Sequence, residues 1–174
     1  MRGQKKSFCE NGSYTALYSY GALIGGRGST RLTRRLILVD IENYCGKGVL
    51  EPCDIRKAKS SITEDLALTD NDLVVVGTSH GMNCLTSGIE WRGPRQVLRK
   101  GHDGADLALI NAAREYKLET FEAVIIVSGD GIFADVALRA KACNKPTLVV
   151  SRRGSLSRKL AVSASAVRYV LPAA

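Results

Sequence analysis

The sequence predicts an α/β fold in three layers, α/β/α, with a mostly parallel central sheet between two layers of helices. From residue 35 onward, short apolar runs alternate with stretches of helical periodicity. The runs are apolar at nearly every position, which is typical of strands buried on both faces. Strands that alternate with helices indicate parallel pairing, because each helix returns the chain to the same edge of the sheet.

Six runs rich in Val, Ile and Leu are predicted strands: Leu36–Asp40, Leu73–Gly77, Gln96–Arg99, Ala123–Ser128, Thr147–Ser151 and Val167–Leu171. Pro52 suits the first turn of a helix that reaches about Leu66. Further helices are predicted over Ser79–Ser87, after Asp103, after Asp130 and near Ser155–Ser163. The two that follow an aspartate have apolar residues at i, i+3, i+4 and i+7: Ala105, Ala108, Leu109 and Ala112, then Phe133, Val136, Ala137 and Ala140.

The 174 residues are predicted to form one folded domain, since domains commonly span about 100–200 residues. The Gly- and Ser-rich stretch "GALIGGRGST" precedes the first strand and indicates a boundary near residue 30. We therefore expect residues 1–34 to be a flexible N-terminal extension and residues 35–174 to be the domain. No run approaches the roughly 18 apolar residues of a membrane span, and the N-terminus is a poor secretory signal.

The charge balance favours a polyanionic partner. Lys and Arg number 25 against 17 Asp and Glu, a formal net charge of +8, which suits nucleic acid. Lys100, Arg152 and Arg153 are candidates to contact a substrate backbone without reading its sequence. Aromatic residues make up only 6% and do not interleave with the basic clusters, which disfavours a base-stacking surface. The five scattered cysteines indicate a reducing, cytoplasmic setting.

Two predicted strands end in carboxylates. Asp40 closes the first strand, and Asp130 follows the strand that begins at Ala123. In an open parallel sheet, ligands bind at the carboxyl ends of the strands, where the strand order reverses. If these two strands are neighbours, the carboxylates lie close together, and their repulsion must be offset by a proton or a cation. A hard divalent ion with oxygen ligands suits this arrangement.

A third acidic position lies at the start of the helix after Asp103. Asp103 and Asp106 are three residues apart and share one face of the first turn. Asp103 is also explained as a helix N-cap, and an N-cap role is open for Asp130 as well. Asp106 is an acid at the edge of an otherwise apolar helix, and Asp40 has no comparable structural explanation. Asp40 is therefore the strongest functional candidate.

Three stretches carry a family resemblance: "LILVDIENY", "KGHDGADLAL" and "VIIVSGDGIF". Their order and spacing over about residues 35–171 resemble the NYN domains, which are PIN-like, metal-dependent ribonuclease domains. The resemblance implies that Asp40 and Asn43 form the D-x-x-N of the first strand, where the Asp binds metal and the Asn orients the site. It also implies roles for the helix acid and the S-G-D motif: Asp106 with Asp103 nearby, Asp130, and Ser128 in support.

The implied activity is hydrolysis of RNA, with Mg²⁺ or Mn²⁺ held by Asp40, Asp106 and Asp130, partly through water. RNA is then the expected partner, no membrane partner is expected, and a homodimer remains open. One position departs from the pattern. Many members read S-G-D-x-D-F, whereas this chain has Ile132 in place of the second Asp. Asp135 is a substitute from the next turn or else a polar surface residue.

Three alternatives remain. A catalytically silent RNA-binding module would keep the fold and the basic surface but not the second motif Asp. Haloacid-dehalogenase-type phosphatases need D-x-D after the first strand, whereas this chain has Asp40-Ile41-Glu42, with Glu42 expected to face away. A nucleotide-binding protein would use the glycines of "GALIGGRG" (residues 21–28), but no clean G-x-G-x-x-G is present. His102 lies near the predicted site and is interpreted as incidental.

Overall fold

The computed structural model describes residues 34–170. These residues form a six-stranded sheet with the strand order β3-β2-β1-β4-β5-β6, in which every neighbouring pair is parallel. The strands are β1 Arg35–Asp40, β2 Leu73–Thr78, β3 Arg95–Leu98, β4 Ala123–Val127, β5 Thr147–Arg152 and β6 Ala166–Val170. The predicted α/β fold is confirmed, and every predicted strand end that falls within residues 34–170 is within one residue of the observed one.

Six helices connect the strands: α1 Ile41–Cys45, α2 Pro52–Leu66, α3 Gly81–Glu90, α4 Gly104–Glu115, α5 Ala134–Ala142 and α6 Arg158–Ser163. Helix α2 begins where predicted: Glu51 is the N-cap and forms a capping box with Asp54, and Pro52 is the first helical residue. Helix α3 begins two residues later than predicted and extends to Glu90. The short helix α1 was not predicted, and it changes the environment of Asp40.

The sheet has a buried apolar cluster on each face, because successive side chains of a strand point to opposite sides. Leu36 and Leu38 of β1 belong to one cluster with α4 and α5 residues such as Leu109. Ile37 and Val39 belong to the other, which includes α2 residues and Trp91. This two-sided burial explains why the strands read as continuous apolar runs.

Strand order reverses beside β1. The chain leaves β1 for β2 and β3 on one side and then crosses to β4, β5 and β6 on the other. Strand β1 pairs with β4 in register, with Val39 opposite Val127. The residues that follow these positions, Asp40 and Ser128, therefore lie side by side at the carboxyl edge. The condition that the sequence left open, that these two strands are neighbours, is therefore met.

Several predictions fall outside the described residues. These are the flexibility of the N-terminal extension, the glycine stretch at residues 21–28, and the end of the last strand at Leu171. Between residues 34 and 170, no helix is both long enough and apolar enough to cross a membrane.

Candidate metal and phosphodiester site

An open hollow of about 460 Å³ lies at the carboxyl edge of the sheet, beside the point of strand reversal. It is formed by the end of β1, the first turn of α4, the loops that follow β1 and precede α4, and the last residue of β5. Its charged and polar lining residues are Asp40, Glu42, Asn43, Lys47, Ser79, His102, Asp103, Asp106 and Arg152. The position is the one at which open parallel sheets bind ligands.

Asp40 is the last residue of β1 and the N-cap of α1. Its carboxylate accepts a hydrogen bond of 3.0 Å from the backbone N–H of Asn43. Only 4% of the residue is exposed. Burial raises the pKa of Asp40, although the Asn43 N–H and a hydrogen bond with Asp106 oppose that rise. The sequence did not reveal this capping role, because the five-residue helix α1 was not predicted.

Asp106 lies in the first turn of α4, which packs over the neighbouring strand β2. Its carboxyl group lies against that of Asp40, and the residue is 7% exposed. Its Oδ1 is buried and has no hydrogen-bond partner. Burial and the nearby Asp40 charge raise the pKa of Asp106 to about 8, with smaller contributions from Asp130 and Asp103. The two carboxyl groups therefore retain a proton at neutral pH unless a cation replaces it.

Asp130 lines a different hollow from the Asp40–Asp106 pair. It caps the short 3-10 turn Gly131–Phe133 and accepts a 2.9 Å hydrogen bond from the N–H of Ile132, so the N-cap interpretation holds. Its backbone N–H donates a hydrogen bond of 3.2 Å to the Ser128 hydroxyl, so Ser128 contacts the backbone of Asp130. Asp130 lines a second open hollow of about 480 Å³. Its charge nevertheless raises the pKa values of Asp40 and Asp106.

Within residues 34–170, no three His, Cys, Asp or Glu side chains come together closely enough to hold a metal ion. Asp40, Asp106 and Asp130 thus do not form a ready three-ligand cluster. The two carboxylates in contact still fit Mg²⁺, which commonly binds one or two protein carboxylates and keeps several waters. The partnerless Oδ1 of Asp106 is an acceptor that such an ion would satisfy. The donor set is all oxygen, which also suits Mn²⁺.

Asn43 joins three strand ends. Its side-chain Oδ1 accepts a hydrogen bond of 3.2 Å from the backbone N–H of Gly129, just beyond β4. Its backbone oxygen accepts a hydrogen bond of 3.0 Å from Nε of Arg152, the last residue of β5. Its own N–H donates to Asp40. These contacts are the kind that an orienting residue requires.

Asp103 and His102 are exposed at the rim of the hollow. Asp103 occupies the N-cap position of α4 with a left-handed backbone (φ 53°), but its side chain makes no capping hydrogen bond. Its carboxylate lies 2.8 Å from Nδ1 of His102. The His102 side chain is 95% exposed, in agreement with its interpretation as an incidental residue.

Glu42 was expected to face away, and that prediction is wrong. It lines the hollow and accepts three hydrogen bonds: from the Ser79 N–H at 3.0 Å, the Ser79 hydroxyl at 2.6 Å and the Asn83 amide at 2.6 Å. Strand alternation does not extend to Glu42, because the chain turns into α1 directly after Asp40. If "DIEN" had been interpreted as an N-cap followed by a helix, the orientation of Glu42 toward the hollow could have been predicted.

Asp135 does not substitute for the missing motif Asp. Its side chain is 72% exposed on α5 and contacts Lys159 at 3.3 Å, so it is the polar surface residue of the two interpretations. Ile132 packs against one of the apolar clusters. The position that carries a second carboxylate in many NYN domains is therefore an apolar residue here, and its neighbours are apolar as well.

The three basic candidates differ in position. Lys100 is exposed in the loop before α4. Arg152 lines the hollow that contains the acidic pair. Arg153 is exposed and lies over the ring of Tyr169, 5.6 Å from its centroid. Only Arg152 of these three lines the hollow.

No protein-family model matches the sequence, and no curated protein matches it. The chain is similar in structure to a protein of unknown function from Vibrio parahaemolyticus, solved by crystallography, with a TM-score of 0.57. The two are 19% identical, and the match covers 82% of this chain and 96% of the other. At this identity, the similarity supports the α/β fold alone.

Proposed function

We propose that this chain is a metal-dependent ribonuclease of the NYN type, with its reaction centre at the Asp40–Asp106 pair. The observation that carries the proposal is the contact between two buried carboxyl groups at the point of strand reversal, one of which has a partnerless buried oxygen. A fold does not by itself need two acids in contact, because their mutual repulsion lowers stability. Perturbed carboxyl groups in a cleft are typical of functional sites.

Asp40 and Asp106 would hold the Mg²⁺ or Mn²⁺ ion in place of their shared proton, which binding would release. When bound, the ion supplies charge neutralisation for the phosphoryl oxygens. Asp130 contributes negative potential to the pair rather than direct contact. In the overall reaction, a water oxygen bonds to phosphorus, the bond from phosphorus to one ribose oxygen breaks, and a water proton ends on that oxygen.

RNA is the substrate class that best fits the charge. The net charge of +8 favours a polyanion, and the hollow is open rather than enclosed. Contacts from Lys100, Arg152 and Arg153 would go to phosphates and would give affinity without sequence recognition. Binding is then expected to weaken steeply with salt.

The first prediction concerns cleavage. Purified protein incubated with total RNA should cut it with Mg²⁺ or Mn²⁺ and not with EDTA. Asp40→Asn and Asp106→Asn should each lower the rate by about 100-fold or more, because loss of a few kcal/mol of transition-state stabilisation has that effect. Asp130→Asn should cost less, since its carboxylate does not line the hollow. The matched control is Asp70→Asn, an exposed residue that precedes β2 at the opposite edge of the sheet.

Calorimetric titration with Mn²⁺ gives a readout that is independent of cleavage. Wild type and Asp70→Asn should bind the ion, and Asp106→Asn should not. Metal-dependent cleavage that persists in both Asp40→Asn and Asp106→Asn would show that the activity comes from elsewhere and would refute the proposal.

A second candidate function is a silent RNA-binding module. It is favoured by one observation: the Asp130 carboxylate caps a turn and the partly buried Ile132 packs against an apolar cluster, so the S-G-D segment adds no direct ligand. Salt-sensitive RNA binding with no cleavage under any metal would select this function. Phosphatase chemistry is less well supported, because the Glu42 carboxylate is occupied by Ser79 and Asn83.

A further inference from the structure

Arg152 is anchored in the hollow that the acidic pair lines. It is the last residue of β5, and its Nε donates a hydrogen bond of 3.0 Å to the backbone oxygen of Asn43 in α1. Its guanidinium also packs on Gly46, where a Cβ would collide with Nη1 and Cζ. Gly46 has a left-handed backbone (φ 70°), so glycine is favoured there for two reasons. The arginine therefore has a fixed position.

The remaining donors of Arg152 are free among the described residues. Its Nη1 and Nη2 form no hydrogen bond within residues 34–170, and no carboxylate in that range lies within 4.0 Å of the guanidinium. Other basic groups of the site are occupied: Lys47 pairs with Asp54 at 2.7 Å. An arginine held by one nitrogen, with two others available, presents the planar fork that matches a phosphate.

Arg152 and the acidic pair line one hollow. A phosphate in this hollow would be repelled by the two carboxylates and attracted by the unpaired guanidinium. The carboxylates would contact it through a cation, and the guanidinium would contact it directly. The arrangement differs from a general basic surface, because the arginine is half-buried and anchored.

Resting on the proposed function, we propose that Arg152 binds the RNA phosphate that lies over the Asp40–Asp106 pair, the phosphate at which the chain is cut. The ligand class is a phosphodiester, and Arg152 is its specific donor in the hollow. Arg153 has a different role, since it lies over Tyr169 outside this hollow. Preorganised donors at such a position act on the charge that develops in the reaction.

The test compares Arg152→Gln and Arg152→Lys with Arg114→Gln. Arg114 is an exposed residue in the last turn of α4, at the opposite edge of the sheet. With Mn²⁺ and a short single-stranded RNA, Arg152→Gln should lower kcat/KM by about 100-fold, the effect of losing one preorganised donor. Arg152→Lys should recover only part of it, because a lysine lacks the fork. Arg114→Gln should match wild type.

Binding in EDTA separates this inference from the nuclease proposal. The probe is a fluorescent 2′-O-methyl RNA of the same sequence, followed by anisotropy at several salt concentrations. Arg152→Gln should reduce the slope of log affinity against log salt by about 1, as loss of one phosphate contact does. Arg114→Gln should leave the slope unchanged. A wild type that binds but never cuts would refute the nuclease alone, and the slope would still decide whether Arg152 contacts a phosphate.

A double-mutant cycle tests the location of that phosphate. Asp40→Asn removes a charge that repels RNA and should strengthen metal-free binding. If one phosphate lies between Asp40 and Arg152, the two substitutions will be non-additive. Additive effects, or a salt slope in Arg152→Gln equal to that of wild type, would overturn the inference. Because Arg152 also contacts α1, urea unfolding of each variant is measured so that all comparisons use folded protein.

Discussion

At the scale of single residues, Asp106 carries the strongest physical signal in this protein. Most acids of the carboxyl edge are satisfied: Asp40 accepts from a backbone N–H, Glu42 from Ser79 and Asn83, and Asp130 from Ile132. The Asp106 carboxyl instead has an oxygen without a partner and a pKa of about 8. A group in this state costs stability when ionised, and a ligand can recover that cost.

This residue gives a prediction about pH and stability. The folded-state pKa of Asp106 is raised from the ordinary value of 3.8 to about 8, so the folded state binds the proton more tightly than the unfolded state. Its contribution to stability is full below pH 3.8 and is lost as pH rises through about 8. In EDTA, the melting temperature should fall between pH 5 and 8, with a loss of up to about 1.4 kcal/mol per pH unit.

Scanning calorimetry of wild type and Asp106→Asn measures this slope. The asparagine variant should show a flatter dependence, since its amide does not titrate, while Asp70→Asn should retain the wild-type slope. Saturating Mn²⁺ should also flatten the wild-type curve. An Asp106→Asn slope as steep as that of wild type would contradict the assignment of the proton to the pair.

At the scale of elements, the site depends on how closely α4 packs against β2. Gly77 of β2 faces α4, and a Cβ at this position would lie 2.5 Å from Cγ of Leu109 and 3.0 Å from the backbone oxygen of Ala105. Leu109 is fully buried. The absence of a side chain at Gly77 therefore sets the distance of α4 from the sheet and, with it, the contact of Asp106 with Asp40.

Gly77→Ala should consequently reduce both stability and activity. Overpacking of a filled core costs about 1–3 kcal/mol, and displacement of α4 should separate the two carboxyl groups. Urea unfolding measures the free energy of unfolding, and Mn²⁺ titration measures the pair. The control is Gly81→Ala, where a Cβ would meet nothing within 4 Å. Stability and Mn²⁺ affinity equal to wild type in Gly77→Ala would show that α4 has room to adjust.

At the scale of the whole molecule, one sheet supports two apolar clusters and the site at its edge. The two middle strands, β1 and β4, each contribute side chains to both clusters. In β4, for example, Ile125 belongs to one cluster and Ile126 to the other. Loss of either cluster would expose one face of the strands whose opposite face supports the other cluster, so the two clusters are expected to be lost together. Small domains of this kind usually unfold in one cooperative step.

The single tryptophan allows a test of that cooperativity. Trp91 is 4% exposed and belongs to one cluster only, whereas circular dichroism reports the helices on both faces. Both signals should give the same urea midpoint and the same slope. A tryptophan transition that precedes the loss of helix by more than the fitting error would show that the two faces unfold separately.

Sequence patterns were sufficient for the fold because each strand is apolar on both faces, a signal that is local and repeated six times. They also located Asp40, Asp106 and Asp130 at the carboxyl edge. They failed for α1, whose five residues are too few for a helical period, and this error led to the wrong orientation of Glu42. For Asp130 they left open whether the carboxylate caps a turn or binds a metal, because capping depends on backbone geometry.

The sequence by itself determined the alternation of strands and helices, the positive charge, and which acids follow which strands. The tertiary structure alone decided that β1 and β4 are neighbours, that Asp106 contacts Asp40 while Asp130 caps a turn, and that Arg152 lies in the same hollow. The physical reason is the distance along the chain between the residues that interact. Hydrophobic burial along a strand is encoded by adjacent residues. The carboxyl groups and the arginine are more than 40 positions apart in the chain, and they come to line one hollow only when the sheet is assembled.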